Sequence, residues 1–259
     1  MAVQARAQAE AYIGMTGSGK GVSIARRMAQ VKPPRLLIWD PRDEYADHAA
    51  RFDSLPLLIA AFRKAGPKPI KARFVSNGRV KPADAFGVVC TLAFEAGHMM
   101  FLAEELAEVT NPSWAPPPWR KCLIQGRHRG LHVIGATQRP ALIDKTFMGN
   151  CTVVRCFMLG YAEDEQTMAR ELRCDPTLVG ALATQEGEGG STLIRYVERV
   201  RRPPALYVGM ITVKASRFDE QRELVAAAAL AATPFDGLGK PLSRPSKRRP
   251  KASKAAGAT

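Results

Sequence analysis

Residues 14–21 read GMTGSGKG, and the expected fold follows from how these eight are understood. Gly14, Gly19 and Lys20 occupy the fixed positions of the phosphate-binding pattern G-x-x-x-x-G-K-[ST], and Gly17 adds a glycine between them. Such a loop needs glycine because several backbone N–H groups must come within hydrogen-bonding reach of a phosphate. A Cβ would obstruct that approach or forbid the positive φ it requires. The lysine then brings a compact positive charge to the β- and γ-phosphates. The last position departs from the pattern: Gly21 stands where Ser or Thr would hold magnesium.

The flanks agree with the loop. AYI at 11–13 can end a strand, and Val22, Ile24, Ala25, Met28 and Val31 recur at helical spacing. The loop therefore feeds a helix N-terminus, whose dipole favours anions. Gly14, Met15, Thr16, Gly17, Ser18, Gly19, Lys20, Gly21 and Val22 form the expected nucleotide-binding segment, with ATP and Mg2+ as cofactors.

Beyond the loop, apolar strands alternate with helices. RLLIWD (35–40), KARFVSNG (71–78), HMMFLAEEL (98–106), LHVIGATQRP (131–140), CTVVRCFML (151–159) and STLIRYVERV (191–200) read as strands. LPLLIAAFRKAG (55–66) and ADAFGVVCTLAFEAG (83–97) read as helices closed by glycine. RKCLIQGRHRG (120–130), 163–172, 176–182 and FDEQRELVAAAALAA (218–232) are also expected to be helical. Alternation of this kind predicts an α/β fold with a mostly parallel sheet flanked by helices on both faces.

At 259 residues and 46% hydrophobic content the chain can fill one large core. Residues 1–237 are the expected P-loop domain. No apolar run approaches the roughly 18 residues of a membrane span, and MAVQARAQAE lacks the apolar stretch of a secretory signal. Five cysteines without framework spacing point to reduced thiols. His128 and His132 are interrupted by Gly130, and Cys151 and Cys156 fall on opposite sides of a strand, so neither pair suggests zinc. The net charge is +14, and residues 238–259 carry Lys240, Arg244, Lys247, Arg248, Arg249, Lys251 and Lys254 without an acid after Gly239. That segment reads as a disordered basic tail, either solubilising or an arm for a polyanion such as nucleic acid.

Hydrolysis at a P-loop needs a carboxylate at the end of a buried strand for magnesium and often a second one for the attacking water. Glu104 and Glu105, following the apolar run from His98, fit those two roles in that order. Gln138 ends the strand GAT and can both donate and accept toward a γ-phosphate.

Taken in order, GMTGSGK (14–20), LLIWDP (36–41) with Glu44 just after it, the run into Glu104–Glu105, and ATQRP (136–140) resemble the FtsK–HerA superfamily of ring-forming, DNA-pumping ATPases over roughly residues 10–200. GRHRG (126–130) is similar to its small viral members, the genome-packaging ATPases of phages with jelly-roll capsids and the zonula occludens toxin-like assembly proteins of filamentous phages. Gly21 and Glu104, where Asp is commoner, depart from that pattern. The resemblance implies a RecA-like core, a homo-oligomeric ring (usually a hexamer), and ATP-driven movement of double-stranded DNA. It also implies a capsid vertex or portal partner, and a place in the host cytoplasm or at the virion vertex. Toxin-like members carry a membrane-spanning segment that this sequence lacks, which favours genome packaging. The alternatives are a soluble conjugation or filamentous-assembly motor, a P-loop kinase, and a nucleotide-binding module without turnover.

In such rings an arginine of one subunit faces the γ-phosphate of the next. Arg127 and Arg129 are the first candidates, with Arg155 and Arg139 behind them. The stretch 68–82 carries five basic residues and no acid, and its turn puts Arg79 and Lys81 forward as DNA contacts. Trp114 and Trp119 could stack on a ligand, though packing or a subunit contact is the plainer expectation.

Overall fold

The computed structural model describes residues 9–215 and 217–225. The chain runs β1 (Ala9–Ile13), α1 (Lys20–Val31), β2 (Arg35–Trp39), β3 (Ala50–Phe52), α2 (Leu55–Ala65), β4 (Ile70–Phe74), α3 (Pro82–Ala96) and β5 (Met99–Ala103). It continues with α4 (Leu106–Val109), α5 (Pro117–Gln125), a 3-10 turn (Gly126–Arg129), β6 (Leu131–Thr137), α6 (Lys145–Asn150) and β7 (Val153–Cys156). Then come α7 (Ala162–Leu172), α8 (Pro176–Gly180), β8 (Thr184–Gly187), β9 (Ser191–Arg201), β10 (Pro204–Lys214) and β11 (Arg217–Leu224).

One sheet holds all the strands, in the order β11-β10-β9-β7-β1-β6-β5-β2-β4-β3, with β8 beside β9. From β7 to β3 every pairing is parallel. β8 to β11 form an antiparallel extension beyond β7. The parallel centre is largely apolar: RLLIW of β2 and MMFLA of β5 are buried at every position, Arg35 being the one charged residue of the two, as strands covered on both faces must be. This is an α/β, RecA-like P-loop core.

Strand alternation divides the interior in two. Ala11, Ile13, Leu37, Trp39, Phe101 and Val133 face α2, α3, α5, α6 and α7. There Phe86 lies 5.3 Å from Trp39 and 5.4 Å from Trp119, and Trp119 lies 5.6 Å from Phe147, all between ring centroids. On the opposite face Tyr12, Ile38, Met100, Leu102 and Ile134 meet Ile24 and Met28 of α1, and that cluster continues to Ile194, Tyr196 and Ile211 of the extension. Because all parallel strands point one way, the segments that follow β1, β2, β4, β5, β6 and β7 emerge at one pole. The loop that follows β1 there is Gly14–Gly19, and it leads directly into α1.

Several expectations change. FDEQREL does not begin a helix. Residues 217–224 pair with 207–214 over eight antiparallel positions, and residues 226–232 lie outside the described chain. The helical periodicity came from the alanines after Leu224, whereas the charged front half is taken up by the open edge of β10. The helix expected at 120–130 stops at Gln125 and tightens into the 3-10 turn. β3, β8 and β10 are additional strands, and the basic tail at 238–259 lies outside the described residues.

Candidate nucleotide-binding site

The loop 14–19 has the conformation its glycines predict. Gly17 and Gly19 have φ of 76° and 93°, which disfavour any side chain. A Cβ on Gly14 would lie 2.5 Å from Ser18 Oγ, and one on Gly19 would lie 2.5 Å from Ile194 Cγ2. Gly14 N–H donates to the Thr137 carbonyl and Met15 N–H to that of Met158, so the loop is moored to the ends of β6 and β7. α1 starts at Lys20, leaving its first N–H groups without intrahelical partners. Ser18 Oγ is buried without a hydrogen-bond partner.

Lys20 is buried with its ammonium turned toward the end of β5, 3.8 Å from Glu104 Oε2 and 3.7 Å from Glu105 Oε1. Consecutive residues of an extended strand would point to opposite faces. Here the chain turns into the left-handed region at Glu105 (φ 49°, ψ 50°), and both carboxylates meet the same cation. Burial pushes the Glu104 carboxyl above its ordinary range, opposed by Lys20 and by a hydrogen bond from Tyr45. Gln138, just past β6, donates from Nε2 to Glu105 Oε1 at 2.6 Å, and its Oε1 accepts from Thr16 Oγ1 at 3.0 Å. Thr16, Gln138 and Glu105 thus form a polar chain across the mouth of the loop. β6 lies between the P-loop strand and the acidic strand, so Gln138 just past its end reaches both Thr16 of the loop and Glu105.

These residues fit a nucleotide triphosphate. The loop packs too closely for side chains at Gly14 and Gly19, the space beside Gly17 is open, and Lys20 supplies the charge. They also fit a divalent cation, since the Glu104 carboxylate lies beside Lys20 at the end of β5 and nothing lies within 4 Å of where a Cβ on Gly21 would be. Val22 follows in α1, packed against the second core.

The other nominated residues lie elsewhere. Arg127 and Arg129 sit on the 3-10 turn before β6, at the opposite pole, about 20 Å away along a seven-residue strand. Arg129 Nε donates to the Phe94 carbonyl at 3.0 Å and its guanidinium also reaches the Glu95 carbonyl, so it caps the end of α3. The Arg127 side chain is exposed and, among the described residues, bonds only to His128, at 3.1 Å. Arg139 pairs with Asp164 at 2.7 Å and stacks on Tyr161. Arg155 is buried, donating to Glu198 at 2.7 Å and to Ser23 Oγ at 2.8 Å, which ties α1 to β9. Arg79 and Lys81 are exposed in the turn after β4, at the nucleotide pole. Trp119 belongs to the core, while Trp114 is exposed. All five cysteines are free, and no metal-binding group of His, Cys, Asp and Glu occurs among the described residues.

One participant escaped the sequence. Tyr45 is buried, and its hydroxyl donates to Glu104 Oε1. The Asp40 carboxylate accepts the N–H groups of Glu44 (2.9 Å) and Tyr45 (3.1 Å), and Arg73 holds Asp40 at 2.9 Å. The only sequence signal was proximity to LLIWDP, since the contact spans 59 positions.

Fold and site define the class: this is a P-loop ATPase fold of the kind found in viral packaging NTPases. It matches the genome packaging NTPase B204 of Sulfolobus turreted icosahedral virus 2, solved with AMPPCP, with a TM-score of 0.60 at 14% identity, over 78% of this chain and 96% of that one. B204 of Sulfolobus turreted icosahedral virus, described as a DNA-packaging ATPase, gives 0.57 at 15% identity over the same shares. No family model matches. In sequence, the chain is 32% identical over 165 residues to Protein P9 of Pseudoalteromonas phage PM2, covering 62% of this chain and 72% of P9. The chain belongs to the family of that phage protein.

Proposed function

We propose that the protein is an ATP-hydrolysing motor of the FtsK–HerA superfamily that moves double-stranded viral DNA into a capsid. The observation that carries this reading is the convergence of Lys20, Glu104, Glu105 and Gln138 from three adjacent strand ends onto one glycine loop. In this reading Lys20 and the loop N–H groups bind the phosphates of ATP. Glu104 holds Mg2+, which neutralises phosphate charge when bound. Glu105 orients the attacking water and takes up its proton, and Gln138 reports on the γ-phosphate. B204, with the same fold, is a genome-packaging NTPase, and P9 is a phage protein. A homo-oligomeric ring, Arg127 or Arg129 acting on a neighbour's nucleotide, Arg79 and Lys81 on DNA phosphates, and a capsid vertex or portal as docking partner complete the proposal. Among the described residues no helix is long and apolar enough to cross a membrane. A motor working in the host cytoplasm or on the virion is compatible with that.

The test is ATP hydrolysis with and without double-stranded DNA. Lys20→Ala is expected to abolish turnover and weaken nucleotide binding. Glu105→Gln is expected to lower kcat by at least about a hundredfold while ATP stays bound, because only the water-orienting carboxylate is lost. Full turnover by Glu105→Gln sinks its role. Absence of hydrolysis by the wild type at every magnesium concentration, with or without DNA, favours a binding module without turnover.

A further inference from the structure

The two oxygens of Glu104 have different partners. Oε1 accepts from the Tyr45 hydroxyl, and Oε2 is the one that faces Lys20, at 3.8 Å. A carboxylate at the end of a strand can ordinarily swing about its last torsion, which is broad and nearly two-fold. Here one oxygen is tethered to a rigid phenol from another segment. Tyr45 is itself held firmly: it is 4% exposed, packed in the core beneath α1, and its backbone N–H is fixed on the carboxylate of Asp40, which is 1% exposed. Arg73, on the neighbouring β4, secures Asp40 and also pairs with Asp43 in the same loop. The chain Arg73–Asp40–Tyr45–Glu104 therefore transmits the position of β4 and of the loop after β2 to one carboxylate oxygen at the end of β5.

This device sits where the P-loop is short of a ligand. Gly21 has no hydroxyl to offer a cation, so more of the task of placing one falls to Glu104. We propose that Tyr45 is a positioning residue for divalent-cation binding: it holds Glu104 by Oε1 so that Oε2 alone is presented to the cation beside the P-loop. The inference rests on the proposed nucleotide site and deepens it. Tyr45 touches neither nucleotide nor cation, and it acts only through Glu104. Hydrogen bonds to metal-binding carboxylates commonly set metal affinity by tenfold or more.

The experiment is a magnesium chloride titration of the binding of a fluorescent, non-hydrolysable ATP analogue to the full chain, repeated in EDTA. In Tyr45→Phe, which removes one oxygen and leaves the ring, the magnesium midpoint is expected to rise about tenfold, while affinity in EDTA stays at the wild-type value. Asp40→Asn, which replaces one of the two acceptor oxygens by an NH2 donor and leaves Arg73 its contact with Asp43, loosens the loop that carries Tyr45 and is expected to move the midpoint in the same direction by about threefold. An unchanged midpoint in Tyr45→Phe overturns the proposal. So does an equal loss of affinity with and without magnesium, which marks a merely structural residue. If the wild type binds no analogue under any condition, the nucleotide site itself is wrong, and this inference falls with it. That outcome is distinct from a wild type that responds to magnesium beside a Tyr45→Phe variant that responds identically.

Discussion

Gly21 lies in the first turn of α1, exposed, with nothing within 4 Å of the point a Cβ would occupy. Glycine in a helix costs up to about 1 kcal/mol relative to alanine, and at Gly21 no steric demand offsets that cost. Gly19, two residues earlier, contrasts on both counts, with a left-handed φ and Ile194 against it. Gly21→Ser is therefore expected to fold at least as well as the wild type. It should lower the magnesium concentration for half-maximal ATPase activity severalfold, because a hydroxyl replaces a water around the cation. A magnesium titration of hydrolysis checks this, and an unchanged midpoint would exclude a metal ligand at that position. The P-loop was legible because its requirements are local: positive φ, absent Cβ and a following helix are all written within eight residues. Tyr45 was not legible because its role exists only once β2 and β5 are paired, which places the loop after one strand beside the end of the other.

At the scale of elements, β1 is a hub as well as a lead-in to the P-loop. Its Glu10, 1% exposed, accepts from Tyr12 at 2.9 Å and from Arg27 of α1 at 2.6 Å, and lies 2.8 Å from His132 Nε2 of β6. Burial alone would raise its pKa. The hydrogen bonds and charges of His132 and Arg27 prevail and hold it at about 2, below the ordinary 4.5. A carboxyl depressed on folding stabilises the native state above its unfolded pKa, and that contribution disappears as pH falls from 4.5 toward 2. The drop is on the order of 3 kcal/mol. Urea unfolding between about pH 5 and 2.5 should show it, and Glu10→Gln should flatten the slope. A variant as pH-sensitive as the wild type would refute the assignment. Glu104, raised by burial, has the opposite sign and gains stability as pH falls, so it cannot mimic this loss. Helices and parallel strands were readable from apolar runs and closing glycines. β11 was not, since RFDEQREL has no apolar alternation and is a strand only because β10 offers it a backbone ladder.

Across the whole molecule, the candidate nucleotide site and the two arginines of GRHRG occupy opposite poles. Lys20, Glu104, Glu105 and Gln138 gather at the C-terminal ends of the parallel strands, and Arg127 and Arg129 precede β6 at the other end. Neither arginine can serve its own chain's nucleotide, so any role at a γ-phosphate needs a second copy. Arg127 is the cleaner probe, because Arg129 also caps α3 and its removal costs stability. Mixing Arg127→Ala subunits with wild type should reduce turnover more steeply than the mutant fraction. Strict proportionality would exclude action across an interface. Where Arg127 and Arg129 lie was hidden in the sequence, since GRHRG states the charges but not the pole they occupy.

The ends of the sheet carry a consequence for how copies can meet. At one end β3 is only three residues long, and its Arg51 is paired with Asp43 and Asp53. At the other, among the described residues, β11 is exposed along nearly its whole length and carries charges of both signs, Arg217, Asp219, Arg222 and Glu223 among them. Short or charged outer strands discourage edge-to-edge continuation. In the ring proposed above, copies are steered away from cross-strand stacking and left to recognise one another through side chains on their faces. Such contacts can break and re-form, whereas a continuous ladder of backbone hydrogen bonds would lock them together.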